Sequence, residues 1–117
     1  MTFEEFKVDA TEKLKTIQPM LETPINQDPS TIPTTLLQYA EGIRVLASLY
    51  GSAKFYYVQA KKRILAEKGE RDIHIFTDVC DEKVLMDTLN NALMNTKHID
   101  EILRGVIEIR KNQPQSK

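Results

Sequence analysis

Apolar residues alternate at steps of three and four without a break from Leu36 to Ile64: Leu36, Tyr39, Ile43, Leu46, Tyr50, Ala53, Tyr57, Ala60 and Ile64. No charged residue falls on that line. Steps of three and four keep side chains on one face of an α-helix. The spacing therefore predicts one long helix, residues 34–68, packed along one side over its whole length. At ~1.5 Å per residue such a helix is about 50 Å long. Pro33 fits its first turn, and Ser30, Thr34 or Thr35 can supply its N-terminal cap. Gly69 is its natural breaker. Gly42 and Gly51 lie inside it, where each costs roughly 1 kcal/mol against alanine. They mark close approach by a neighbour, a bend at Gly51-Ser52, or tolerated exposed glycine.

The same spacing recurs downstream. Leu85, Leu89, Ala92, Thr96, Ile99, Leu103 and Val106 form a second seam, widened by Val79, Met86, Leu93, Ile102, Ile107 and Ile109. A helix over 78–111 follows, capped by Thr77 or Asp78, with an apolar face broad enough to meet more than one neighbour. Near the start, Phe3, Phe6, Ala10, Leu14 and Ile17 predict a shorter helix over 2–17, opened by a Thr2/Glu5 capping box and stopped by Gln18-Pro19.

Between these helices the pattern breaks twice. Residues 18–33 hold Pro19, Pro24, Pro29 and Pro33, four of the five prolines, and read as a loop strapped across the hairpin by Met20, Leu21, Ile25 and Ile32. Residues 69–77 combine a polar turn with Ile73-His74-Ile75-Phe76. With no second strand to pair, that run is an extended elbow tucking Ile73, Ile75 or Phe76 over the bundle end. The last residues, 112–117, read as a disordered tail. The expected fold is all-α and a single domain: a short helix, a crossing loop and a long antiparallel hairpin. Its wide seam is expected to be covered by a second copy, favouring a dimeric helical bundle. The self-association seam is assigned to Leu36, Tyr39, Ile43, Leu46, Tyr50, Leu85, Leu89, Ile99, Leu103 and Val106.

Charge changes the picture in one place. The chain has a net charge of −1, which argues against general nucleic-acid binding. Yet residues 42–66 contain no acid and five bases, Arg44, Lys54, Lys61, Lys62 and Arg63, for +5. From Asp78 to Glu108 seven acids face three bases, for 3 − 7 = −4. In an antiparallel hairpin the bases at 61–63 meet the acids at 78–82, so pairing between the two helices is the simplest use of both. The alternative use is a binding face. Lys54, Tyr57, Lys61, Lys62 and Arg63 interleave cations with an aromatic ring, which suits a base and a phosphate. Against it, Tyr50 and Tyr57 fit the packed seam, and Phe55 is expected to pack on the N-terminal helix.

Other chemistry finds no support in the residues. His74 and His98 lack partners of metal-ligand type and spacing, and a single cysteine, Cys80, adds too little, so no metal or cofactor is expected. Cys80 sits beside acids at 78, 81 and 82, which disfavour a thiolate, and reads as a small buried residue. Nucleotide-loop, serine-hydrolase and zinc-protease motifs are all missing, and no enzymatic activity is expected. No apolar run approaches the roughly 18 residues of a membrane span. The polar, acidic first residues do not resemble a secretory signal, and the lone cysteine suits a reducing compartment, so a cytoplasmic protein is expected.

The stretch Ala53-Lys54-Phe55-Tyr56-Tyr57-Val58-Gln59-Ala60-Lys61-Lys62, the polar elbow after it, and an acid-started helix closing on Ile107-Glu108-Ile109-Arg110-Lys111 resemble small helical hairpin proteins of phages and prophages over residues 40–110. Those proteins mostly have no defined function. The resemblance implies a phage-type accessory protein acting by binding. Secreted helical pairs marked by a Trp-x-Gly turn are set aside, because the chain has no tryptophan. The function expected from the sequence is a non-enzymatic interaction module with a protein partner. The alternative is nucleic-acid or nucleotide binding by the basic-aromatic face.

Overall fold

The two seams find each other. In the computed structural model, which describes residues 1–22 and 30–112, α2 (Ile32–Lys68) and α4 (Asp81–Asn112) form an antiparallel hairpin. A five-residue turn of helix, α3 (Ile73–Thr77), joins them, and α1 (Phe3–Glu22) lies along the hairpin. All four elements are helical, and the rod measures 72 × 26 × 18 Å. Antiparallel register is fixed at two points: Arg63 pairs with Glu82 at 3.2 Å near the tip, and Gly42 lies against Thr96 midway along α4.

The ten residues of the predicted self-association seam lie along α2 and α4. Tyr39, Leu46, Leu85, Leu89 and Leu103 are buried, and Leu36, Ile43, Tyr50, Ile99 and Val106 are half-buried, all within one chain. The seam thus closes between α2 and α4 of the same molecule, with five of its ten members buried there. Of the residues that widen it, Leu93 is buried and Met86 half-buried in the cluster that α1 completes, whereas Val79, Ile102 and Ile109 stay exposed. Phe6 and Ala10 complete a cluster with Leu46, Leu49, Ala53, Leu85, Leu89 and Leu93. Thr96, the one polar seam position, is fully buried and donates its hydroxyl to the Ala92 carbonyl at 2.7 Å, so no polar atom is stranded there.

α1 starts as its sequence predicts. The Thr2 hydroxyl accepts the Glu5 amide at 3.2 Å and donates to the Glu5 carboxylate at 3.1 Å. It does not stop at Gln18: the helix continues through Pro19 to Glu22. A proline near a helix end removes only one backbone bond, and tertiary contacts hold the last turn. The Tyr39 hydroxyl donates to the Met20 carbonyl at 3.2 Å, and Met20 Cε approaches Gly42 so closely that an added Cβ would sit 3.1 Å away. Gly42 is therefore the close-approach glycine, whereas Gly51 faces open space.

The proline-rich strap shrinks accordingly. Met20 and Leu21 belong to α1, Ile32 and Pro33 to α2, while Ile25, Pro24 and Pro29 lie outside the described residues, as does the tail beyond Asn112. Thr31 takes the N-cap position of α2 without a side-chain capping bond. Gly69 ends α2 as expected, at φ 78°, with its amide on the Leu65 carbonyl. The elbow is corrected from extended to helical. Asp72 adopts a left-handed conformation at φ 59°, which aspartate tolerates, and this turns the chain into α3. Ile73 is half-buried, but Ile75 and Phe76 remain exposed. α4 begins at Asp81, not at 78, because the Asp78 amide still bonds back to His74 and finishes α3.

Burial shifts one titration. Desolvation raises the Tyr39 phenol above its ordinary value of 10.0. The folded chain then holds this group neutral to higher pH than the unfolded chain does. The stabilisation is complete below about pH 10 and is lost as pH rises through the folded value. Urea midpoints taken between pH 8.5 and 11 should fall less steeply for Tyr39→Phe than for the wild type. Equal slopes would show that Tyr39 does not contribute.

Candidate interaction surface

On α2, successive residues turn by about 100°, so the face opposite the α4 seam carries residues 51, 55, 58, 62 and 65. These are Gly51, Phe55, Val58, Lys62 and Leu65, again at steps of four and three, and every one is exposed. Phe55 is 60% exposed, Val58 42% and Leu65 41%. Phe55 therefore does not pack on α1 as expected. Its neighbour Tyr56 does, stacking on Phe6 with ring centroids 5.0 Å apart, meeting Phe3 at 5.7 Å and donating its hydroxyl to the Met1 carbonyl at 2.9 Å.

Beside this outer seam runs a row of lysines at 54, 61 and 68, one per heptad. Lys54 Nζ lies 5.5 Å from the Tyr50 ring centre, Lys61 Nζ 4.7 Å from Tyr57, and Lys68 Nζ 5.1 Å from Phe76. Cation–π attraction of this kind holds an ammonium near a ring without neutralising it. Among the described residues, none of the three has a carboxylate within ion-pair distance.

The five residues of the predicted basic-aromatic face divide. Lys54, Lys61 and Lys62 are exposed on the outer side. Arg63 turns toward the hairpin tip to neutralise Glu82, a carboxylate only 6% exposed. This is the expected pairing of the base cluster with the start of α4, joined by Lys7 and Asp81 at 3.8 Å. Tyr57 is half-buried beneath two ammonium groups, Lys61 and Lys83, the latter 5.8 Å from the ring centre. Lys83 is held above the usual lysine range by its hydrogen bond to Asp87, so it stays charged there. A nucleobase finds little open ring at Tyr57. Sequence reasoning missed Lys68 and the outer seam, although the second three-four series was written in the same stretch, behind the stronger one.

A groove of about 550 Å³ opens between α1 and α2, floored by Ile17, Met20, Gly42 and Val45, with Leu37 beside it. Lys13 and Glu41 stand on its rim, and the Arg44 guanidinium holds the Glu41 carboxyl below the usual carboxylate range. Both histidines are exposed. Cys80 is a half-buried free thiol donating to the Thr77 carbonyl at 3.2 Å. Among the described residues no cluster of histidine, cysteine and carboxylates is placed to hold a metal ion, and no helix is long and apolar enough to cross a membrane. Comparison with protein-family models, with curated protein sequences and with solved structures finds no match for this chain.

Proposed function

We propose that the chain is an interaction module, a helical rod that works by presenting the outer side of α2 to a protein partner. One observation carries this reading. The core closes within a single chain, yet a spaced series of large apolar side chains, Phe55, Val58 and Leu65, stays in solvent on a helix with every chance to place polar residues there. Ordered apolar series left exposed beside charge are characteristic of contact surfaces. Binding, not catalysis, is the role assigned, in keeping with the accessory class that the phage-hairpin resemblance implies. A cytoplasmic setting goes with the free thiol of Cys80.

The test compares the tagged chain with its Phe55→Asp/Leu65→Asp variant as baits in nuclease-treated extract. Both positions are exposed, so helicity and melting temperature should match the wild type. The reading predicts at least one protein retained by the wild type and lost from the variant. Identical retention by both baits removes it. Nucleic-acid binding by Lys54, Lys61 and Lys62 is the weaker reading, since Tyr57 and Arg63 are engaged within the chain. It predicts instead that nuclease treatment strips everything from the wild-type bait, with a steep dependence on salt.

A further inference from the structure

We infer that the outer seam of α2 is one half of a coiled coil whose other half is an acidic amphipathic helix from a different protein. This rests on the interaction role proposed above and names the partner's chemistry. Gly51, Phe55, Val58, Lys62 and Leu65 occupy alternating core positions of a heptad repeat on an exposed face. Lys54, Lys61 and Lys68 then fall at the same flanking position of three successive heptads, the position that reads charge across a coiled-coil pair. Each is laid against a ring within 5.5 Å of its centre, which restricts the lysine before a partner arrives. No acid occurs from Gly42 to Ala66 to offset them. The opposite flank, Ser52, Gln59 and Ala66, is neutral. Carboxylates at heptad spacing on a partner helix complete the lysine row, and a further one opposite Lys62 fixes the register.

The same pattern argues against a second copy. Two of these seams laid antiparallel bring lysine row against lysine row, a like-charge contact. Laid parallel, they set lysines against Ser52, Gln59 and Ala66, with nothing to pair. A nucleic-acid strand can stack a base on Phe55 but gains nothing from Val58 and Leu65. A lipid surface asks for a broad apolar face, where α2 offers a narrow seam interrupted by Lys62.

The probe is a synthetic helix of roughly three heptads with leucine at core positions and glutamate at the flanks, beside its twin with lysine at the flanks. Binding of both to the intact chain is read by fluorescence anisotropy. The glutamate peptide should bind and the lysine peptide should not. Charge reversal by Lys54→Glu/Lys61→Glu/Lys68→Glu should weaken the glutamate peptide by roughly a hundredfold and let the lysine peptide bind, since three exposed attractions become three repulsions. Phe55→Asp should abolish both. Affinities that ignore the reversal overturn the inference. So does a dimer in sedimentation equilibrium that Phe55→Asp dissolves, which would give the seam to a second copy. So does binding of a single-stranded oligonucleotide or of anionic vesicles that the reversal abolishes while neither peptide binds. A captured protein that depends on Phe55 but is indifferent to the lysine reversal would overturn the acidic helix alone and leave the interaction role standing.

Discussion

Leu46→Asp is expected to leave the chain unfolded at room temperature. Leu46 is fully buried, at the junction of α1, α2 and α4. Truncating a buried leucine costs about 2–5 kcal/mol in lost burial and cavity. Placing a carboxylate there adds several kcal/mol more, because among the described residues no lysine or arginine is buried to pair with it and desolvation is unopposed. The sum rivals the 5–15 kcal/mol that a domain of ordinary stability has in total. Leu103→Asp, at a site 3% exposed, should do the same from the far end of the hairpin. Leu37→Asp is the control: this side chain is 72% exposed and the substitution should leave the melting curve close to that of the wild type. Far-ultraviolet circular dichroism with a urea titration reads all three. A folded Leu46→Asp chain would mean that the seam does not carry the fold.

Phe6→Ala should release α1 while the hairpin survives. Phe6 is 4% exposed, stacks on Tyr56 and joins the cluster with Leu46, Leu49 and Leu89. Removing a buried phenylalanine costs about 3–5 kcal/mol. Besides this one, α1 holds to the hairpin through smaller or half-buried contacts: Ala10 in the cluster, Leu14 and Ile17 against it, Tyr56 over Phe3, the Lys7–Asp81 pair, and the Met20 turn against Tyr39 and Gly42. α2 and α4, by contrast, share a seam that runs nearly their whole length. The loss should therefore appear as local opening. Hydrogen exchange should accelerate at amides 3–22 and stay slow at the centres of α2 and α4. Acceleration spread evenly over all three helices would show that the chain opens only as a whole.

How far the sequence could be read depended on what kind of interaction each residue makes. The α2 and α4 seams were legible because a helix repeats every 3.6 residues, and nine positions from Leu36 to Ile64 kept that period without a charge. The pairing of Arg63 with the start of α4 followed from the same register plus opposite charge. Pro19 was misread because the proline rule is local. It gives the cost of one lost backbone bond but not the Tyr39 hydroxyl and the Gly42 approach that hold the turn beyond it. Tyr56 takes the place expected of Phe55 for a related reason: the two are adjacent, and which one turns toward α1 depends on the angle at which α1 crosses α2.

The candidate surface divides along the same line. The sequence alone determined that the chain is helical, that α2 and α4 pair antiparallel, and that α2 carries lysines with no acid among them from Gly42 to Ala66, because periodicity and net charge are properties of the string. Only the tertiary structure decided how far round α2 its cover extends, because that depends on where α1 crosses it. A helix with apolar residues on two sides buries the side that packs best against α1 and α4. Here they take Leu46, Leu49, Ala53 and Ala60, and leave Phe55, Val58 and Leu65 with the lysine row beside them.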